Sequence, residues 1–309
     1  MGQPKVIILT GPTGSGKTRL ALLAAEAIGA EIINADSLAF YKGLDIGAAK
    51  PTLAERALAP HHLFDVVEPN EPFDAAAYLR LARPLIVSLN AAGRAPLVVG
   101  GTGLYLRSLT KGLFEGPGAR PEIRAELKAL AQKGQDIYAL LVQEDPKAAA
   151  LLNPHDYVRV ERALEVKRAT GRSLVDFRES HNLSDRPFKA LTLIVDRPTT
   201  FLDQDLRRRT EGMFEGGLIE ETAALLAQGY GPELKPLRAI GYREAVAYLG
   251  GQMTLAAAKE AVYLRSRRLA KRQRTWFRGQ TPEGIWVQPN ASLIIEIAKR
   301  FWRGEESLV

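Results

Sequence analysis

The 309-residue chain has no cysteine. That excludes disulfides, zinc–thiolate centres and a cysteine nucleophile, and it fits a reducing compartment. No apolar run approaches the ~20 residues a membrane-spanning helix needs. The first strand begins almost at once, leaving no room for a cleavable leader, so a cytoplasmic protein is expected. Low-complexity tracts and internal repeats are also missing. Charge of one sign is not dominant either: the net charge of +7 is modest for this length. Its distribution is more telling, because basic residues concentrate between Arg265 and Arg278. With 46% hydrophobic residues, the chain can bury one large α/β core or a core with an insertion.

The stretch that organises the rest is Val6-Ile-Ile-Leu-Thr-Gly11-Pro-Thr13-Gly14-Ser15-Gly16-Lys17-Thr18. Val6 to Leu9 is a continuous apolar run, the pattern of a strand covered on both faces. Gly11, Gly16, Lys17 and Thr18 fit G-x-x-x-x-G-K-[ST]. Leu20, Ala21, Ala24, Ala25 and Ile28 then recur at helical spacing, and Gly29 is placed to end the helix. Glycines let successive backbone N–H groups turn inward around a polyphosphate at the positive end of that helix. Lys17 neutralises phosphate oxygens, and the Thr18 hydroxyl completes the shell of a phosphate-bound Mg²⁺.

Ala30 to Ala35 reads as a second buried strand, delivering Asp36 and Ser37 at its carboxyl end, where open α/β sheets bind ligands. Tyr41 to Pro51 is a loop punctuated by Gly and Pro. Asp74 caps a helix whose apolar face carries Ala77, Tyr78, Leu81, Leu85, Ile86 and Leu89. Pro96–Val99 is a third buried strand, ending in Gly100-Gly101-Thr102-Gly103, a turn that admits close backbone approach. The three strand ends are expected to converge on one cleft. From about Gly112 to Asp185 the pattern is helical, with helices at Pro121–Gln132, Asp136–Val142, Pro146–Leu152 and Asp156–Thr170. Glu115–Ala119 is the expected entry to this insertion and Ser180–Pro187 its exit. Core segments 1–114 and 188–309 then flank a helical insertion at 115–187. Leu191 to Val195 returns as a strand.

Asp196 follows that strand as a metal-organising Asp does in phosphate-loop ATPases. Arg197-Pro198 comes next at once, so Asp196 reads as a cap or turn residue. His61 and His62 read as structural hydrogen-bonding residues.

Arg265–Arg278 contains no internal Gly or Pro and reads as a helix. At roughly 100° per residue, Val262, Leu269 and Trp276 share a seam that packs on the core. Arg267, Lys271, Arg274 and Arg278 lie opposite, and Arg265, Arg268 and Arg272 flank the seam. This face is one-signed and lacks acidic partners within the helix, which suits a phosphodiester backbone as well as it suits solvent.

These residues together resemble the tRNA dimethylallyltransferase family over nearly the whole chain. The carrying motifs are Gly11–Thr18, Asp36-Ser37 with Tyr41, Gly43-Leu-Asp-Ile-Gly47 with Ala49-Lys50-Pro51, and His61-His62-Leu63. They continue with Gly100-Gly101-Thr102, Arg162-Ala-Leu-Glu165, Met213 with Gly217-Leu218, Ala239-Ile-Gly-Tyr242, and Lys271-Arg272-Gln273 with Thr275-Trp276 and Arg278. The resemblance implies an α/β fold with a P-loop NTPase-like parallel sheet, flanking helices and a mainly helical insertion. It implies that Gly11, Thr13, Gly14, Ser15, Gly16, Lys17 and Thr18 hold the diphosphate of dimethylallyl diphosphate, with Mg²⁺ at Thr18. Asp36 matches the general base and Thr102 a residue beside the reacting groups. The acceptor is the N6 amine of the adenosine immediately 3′ of the anticodon, turned out of its stack. Contacts to tRNA are implied for Asp36, Ser37, Leu38, Ala39, Thr102 and Arg124, and for Arg159 to Ala163 including Arg162. They are implied likewise for Arg238, Gly241, Tyr242 and Arg243, and for Lys271, Arg272, Gln273, Arg274, Thr275, Trp276 and Arg278. No protein partner and no membrane is implied. Two departures stand out: Ala39 replaces a common Gln, and Ala48 replaces a common Thr. Trp276 reads as core seam rather than base-stacking platform.

The chemistry agrees with the resemblance. An allylic diphosphate ionises readily once its leaving group is neutralised. An adenine N6 amine is a poor nucleophile and needs a carboxylate to take its proton. A nucleotide kinase, an ATP-driven RNA-binding protein using Asp196, a non-catalytic RNA-binding module and a relative acting on free adenine nucleotides remain as rivals.

Overall fold

Val6–Leu9 is apolar throughout because the strand it belongs to lies in the middle of a parallel sheet. The computed structural model describes residues 2–113, 116–181 and 185–305. It places β1 (Lys5–Thr10) between β4 (Ala95–Val99) and β5 (Lys189–Val195), with Ile7 level with Leu97 on one side and Leu191 on the other. Outward from β4 come β2 (Ala30–Asn34) and β3 (His61–His62); outward from β5 comes β6 (Ile285–Val287). The order is β3-β2-β4-β1-β5-β6, and every pairing is parallel. Helix Lys17–Ile28 covers one face through Leu20, Ala21, Ala24 and Ala25, alongside Ile294, Ile297 and Phe301 of helix Ala291–Arg303. Parallel strands need such covered faces. They also point all carboxyl ends at one edge, so Gly11, Asp36, Gly100 and Asp196 emerge on the same side.

Close approach at that edge depends on Gly100. A Cβ there would lie 2.2 Å from the Ala35 carbonyl carbon and 2.3 Å from its oxygen. Those atoms belong to the adjoining strand end, where Ala35 N–H donates to Val99 O, and cannot swing aside. Gly100→Ala should therefore destabilise the protein by about 1–3 kcal/mol, read as a lower denaturant midpoint at unchanged m-value.

The chain forms two compact units, Met1–Thr110 with Pro187–Val309, and Lys111–Arg186. Glu115 of the expected entry and residues 182–184 of the expected exit lie outside the described residues. The second unit is helical: Pro121–Gln132, Ile137–Glu144, Pro146–Ala149, Tyr157–Thr170 and Leu174–His181. Its own core includes Leu127, Leu141, Val160 and Leu164. Asp136 and Asp156 cap their helices by accepting backbone N–H groups, and left-handed Gly171 ends the longest. The helix from Pro146 stops three residues earlier than its apolar run suggests. Helix Leu174–His181 was not expected.

Candidate active site

A cleft of ≈ 630 Å³ opens at the carboxyl edge of the sheet, within the first unit. The loop after β1 forms one wall. Gly11, Gly14 and Gly16 all have positive φ (152°, 82° and 83°), the left-handed backbone that glycine adopts without strain. Helix Lys17–Ile28 starts at Gly16 with no side-chain cap, so its first N–H groups are left for a ligand. Ser15 is buried and its Oγ has no partner among the described residues. Half-buried Lys17 reaches the Pro12 carbonyl at 3.4 Å. Burial pushes its ammonium down to about 8; Asp36 pulls it upward, and Arg209 adds to the lowering. Arg209, from helix Thr199–Glu215, also lines the cleft, and burial lowers its value while Asp36 raises it. Two desolvated cations thus face the loop. Burying like charges together is costly unless an anion joins them.

Asp36 faces the same cleft. Its N–H donates to Asn34 Oδ1 (2.8 Å), and Asn34 Nδ2 donates to the Asp36 and Leu63 carbonyls (3.2 and 3.0 Å). One carboxylate oxygen, Oδ1, accepts the Leu38 N–H at 3.1 Å. The other carries no hydrogen bond within the described residues. Thr102 Oγ1 accepts the Ser37 N–H at 3.0 Å, which leaves its own hydroxyl hydrogen to donate. Helix Gly103–Lys111 is started by the Thr102 carbonyl, which accepts from Tyr105 and Leu106, rather than by the hydroxyl.

The expected RNA-contact residues separate into accessible and enclosed groups. Lys271, Arg272, Thr275 and Arg278 are exposed on helix Leu255–Gln280, as are Arg238 and Arg243 near the one-turn helix Pro236–Arg238. Arg278 covers the Trp286 ring at 5.6 Å. Ser37 and Leu38 are half-buried at the cleft, where Ala39 is buried and Ala48 forms part of the wall. Tyr242 is instead fully buried: its hydroxyl donates to Glu221 Oε1 at 2.6 Å and its ring packs on Gly47. Glu221 also accepts the N–H groups of Asp45, Ile46 and Gly47, pinning the 43–51 loop. Gly241 is enclosed as well, its N–H donating to Glu244 Oε2 at 2.8 Å.

The basic helix is less one-sided in three dimensions. Arg265 pairs with Glu244 at 2.9 Å and Arg267 with Asp203 at 2.7 Å. Arg274 donates to Asp196 Oδ1 at 2.8 Å, to Thr199 Oγ1 at 3.2 Å and to the Arg197 carbonyl. The missing acids are supplied by other elements, which a helix pattern cannot display. Asp196 is thereby neutralised and also accepts the Arg197 N–H, as a turn residue does. Val262, Tyr263, Ala270 and Phe277 are the buried seam, rotated from the expected one. Leu269 and Trp276 face the cleft. The Trp276 indole N–H has no partner among the described residues, and the Arg107 guanidinium lies 5.2 Å from the ring.

In the helical unit, Glu165 is fully enclosed and accepts from Arg124 Nε and NH2 (2.8 and 3.0 Å), Arg162 NH1 (2.5 Å) and the Arg120 N–H (2.7 Å). Burial pushes its carboxyl up, but these donors hold it down at about 2. The Arg124 side chain remains 44% exposed and that of Arg162 28%, the latter also donating to the Pro117 carbonyl at 2.6 Å. Arg159 is exposed beside Asp156.

Among the described residues, no group of three or more His, Asp or Glu side chains is arranged to hold a metal. The cleft offers the Thr18 hydroxyl and the Asp36 carboxylate. That donor set fits Mg²⁺ arriving on a diphosphate, which keeps its waters and takes few protein ligands.

A family model described as IPP transferase matches residues 39–280. A tRNA dimethylallyltransferase of Geobacter sulfurreducens is 44% identical, over 96% of this chain and 97% of its own. Among solved structures, a tRNA isopentenylpyrophosphate transferase of Bacillus halodurans superposes with a TM-score of 0.72 at 35% identity, covering 98% of this chain and 96% of that one. A eukaryotic dimethylallyltransferase acting on tRNA gives 0.82 at 27% identity, covering 96% and 79%.

Proposed function

The chain belongs to the IPP transferase family, and from that premise we propose that it alkylates tRNA. It transfers the dimethylallyl group of dimethylallyl diphosphate to N6 of the adenosine immediately 3′ of the anticodon, in the cytoplasm. One observation carries this reading: an Asp36 carboxylate oxygen and the Thr102 hydroxyl face, across one cleft, a phosphate loop backed by Lys17 and Arg209. A kinase also sets a carboxylate against its phosphates, so the family match and the exposed cations of helix Leu255–Gln280 are what favour alkylation of tRNA over phosphate transfer.

The loop amides of Gly14–Thr18, with Lys17 and Arg209, bind the diphosphate and stabilise the charge that grows on the oxygen leaving C1. A Mg²⁺ ion held by Thr18 and the phosphates adds to that neutralisation when bound. As the C1–O bond breaks and the C1–N6 bond forms, Asp36 takes the N6 proton, and Thr102 donates its hydroxyl hydrogen to orient acceptor or leaving group. The adenine has to leave its stack at a cost of a few kcal/mol, which phosphate contacts elsewhere offset. Lys271, Arg272, Arg238 and Arg243 supply such contacts, and Arg124, Arg159 and Arg162 present the helical unit to the same tRNA. An ATPase reading is disfavoured because Asp196, its metal ligand, is held by Arg274.

Purified protein incubated with labelled dimethylallyl diphosphate, Mg²⁺ and either tRNA or AMP should move the label to tRNA alone. Label on AMP, or ATP hydrolysis with no transfer, would sink the proposal. Because Arg267 is already paired, the ridge is best tested at Lys271 and Arg272. Changing both to Ala should weaken tRNA binding and flatten the log K against log salt slope by about 1–2. An unchanged slope in filter binding would return that face to solvent.

A further inference from the structure

Gln273 sits on the basic helix, in the segment whose resemblance implies tRNA contact, yet its amide is engaged at both ends inside the protein. Its Oε1 accepts the Thr13 N–H at 2.8 Å, and its Nε2 donates to the Gly101 carbonyl at 2.8 Å. We infer that Gln273 is a positioning residue: it clamps the phosphate loop to the Gly100–Thr102 turn and so sets the separation between leaving group and acceptor. The inference rests on the proposed reaction for what lies on either side of the clamp.

Thr10, the last residue of β1, already ties the turn to the strand end through its hydroxyl on the Gly100 carbonyl (2.7 Å); the two Gln273 bonds add a link from the turn to the loop itself. Thr13 opens the loop that receives diphosphate, and Gly101 precedes Thr102, whose hydroxyl holds the Ser37 N–H beside Asp36. One continuous path thus runs from the loop through Gln273, Gly101 and Thr102 to the base. The support is rigid: Ala270 and Phe277, one turn away on either side, are buried, and neighbouring Arg274 is tied to the end of β5. The approach is close enough that a Cβ on Gly101 would fall 2.5 Å from Nε2, so glycine is needed for the clamp to close. Chemistry fixes the amide's orientation, since one partner only donates and the other only accepts. Asn, one methylene shorter, cannot span the gap. A further consequence is that the Thr13 N–H is occupied, so the loop presents its later amides to a ligand. The amide's second N–H and second oxygen lone pair are not used by these bonds, so any tRNA contact here would add to the clamp rather than replace it.

The test uses the full chain with Gln273→Met, Gln273→Asn, Gly101→Ala and the Gly101→Ala/Gln273→Met double variant. Four quantities are measured: the single-turnover transfer rate at saturation, Kd for an anticodon stem-loop RNA, Kd for inorganic diphosphate, and the thermal midpoint. With the clamp lost, the saturating rate should fall about 10–100-fold and diphosphate affinity roughly 5-fold, while RNA Kd stays within about 3-fold. The double variant should be no worse than the more severe single one, because both changes open the same clamp. A tenfold weaker RNA Kd at an unchanged saturating rate would overturn the inference and make Gln273 a tRNA contact. Losses that multiply in the double variant, or no loss at all, would overturn it too. If Gln273→Met does not fold, Gln273→Asn and Gly101→Ala carry the same comparison. Should the wild type move no label, the proposed function fails, and the diphosphate affinities of the four variants still decide whether the clamp exists.

Discussion

Asp36→Asn should keep its fold and bind anticodon stem-loop RNA as the wild type does, while losing about 10²–10⁴-fold in single-turnover rate. Asparagine is isosteric, and its Oδ1 still accepts the Leu38 N–H that orients the side chain. What disappears is the free carboxylate oxygen proposed to take the N6 proton. A second consequence follows from the electrostatics. Asp36 raises the Lys17 value against burial, so the variant's Lys17 sheds its proton below about 8 and diphosphate affinity weakens at lower pH than in the wild type. Measuring the rate at saturating diphosphate across a pH series separates this binding effect from the loss of the base. A saturating rate within a few-fold of wild type across that series would remove Asp36 from proton transfer and leave it an electrostatic neighbour of Lys17.

How legible this fold was in the chain depends on how much of each element's signal is local. β1, β2, β4 and β5 announce themselves because both faces are covered, so apolar residues dominate each run, with Glu31 in β2 and Thr192 in β5 as the polar exceptions away from the strand ends. The edge strands β3 and β6 span two and three residues and have too little length to show any period. His61-His62 is a strand only because its backbone extends the sheet beside Ile32 and Ile33. Helix Leu174–His181 escaped for a related reason. It follows the Gly171 stop closely, and its start is built from Ser173, which accepts the Val175 N–H, and from Asp176, which accepts the Ser173 N–H. These are short-range bonds that look like a turn.

The site divides along the same line. The glycine loop and the residues at strand ends are local statements of chemistry, and they arrive in one cleft because the sheet is parallel. Arg209 is different. It sits in a helix rich in arginine, Arg207-Arg208-Arg209, and nothing in that run says which one turns inward. Its partner in charge, Asp36, lies more than 170 positions earlier, so only tertiary packing reveals it. Tyr242 shows the opposite error: an Arg-flanked tyrosine by a Gly turn looks like an RNA contact, but Glu221 draws its hydroxyl into the core. Arg274 is the same case with charge in place of a ring. Pattern reading finds donors and cations; it cannot see what has already accepted them.

Once the ligand's own last ionisation, at about pH 6–7, is complete, affinity for an allylic diphosphate should be level to about pH 8 and then fall as pH rises, with Lys17 as the cause. In the free protein, burial has lowered the Lys17 ammonium to about 8. A diphosphate beside it favours the charged form and raises that value, so binding takes up a proton above pH 8. By linkage, affinity then drops up to tenfold per pH unit until the bound-state value is reached. Calorimetry with a non-ionising allylic diphosphate analogue, from pH 6 to 10, reads this directly. Lys17→Arg stays charged throughout and should abolish the fall. Lys17→Met should bind roughly 10–100-fold more weakly at pH 7, the loss of one charge-assisted hydrogen bond, with a profile lacking this inflection. The ligand-free protein supplies an independent check of sign. Its Lys17 value lies below the ordinary 10.5, so between about 8 and 10.5 the unfolded chain holds the proton and the folded one does not. Lys17 therefore adds stability as pH rises through that window, and Lys17→Met should lack that contribution. A wild-type affinity that stays level through pH 9 would mean that Lys17 is not the cation that grips the diphosphate, leaving that work to Arg209 and the loop amides.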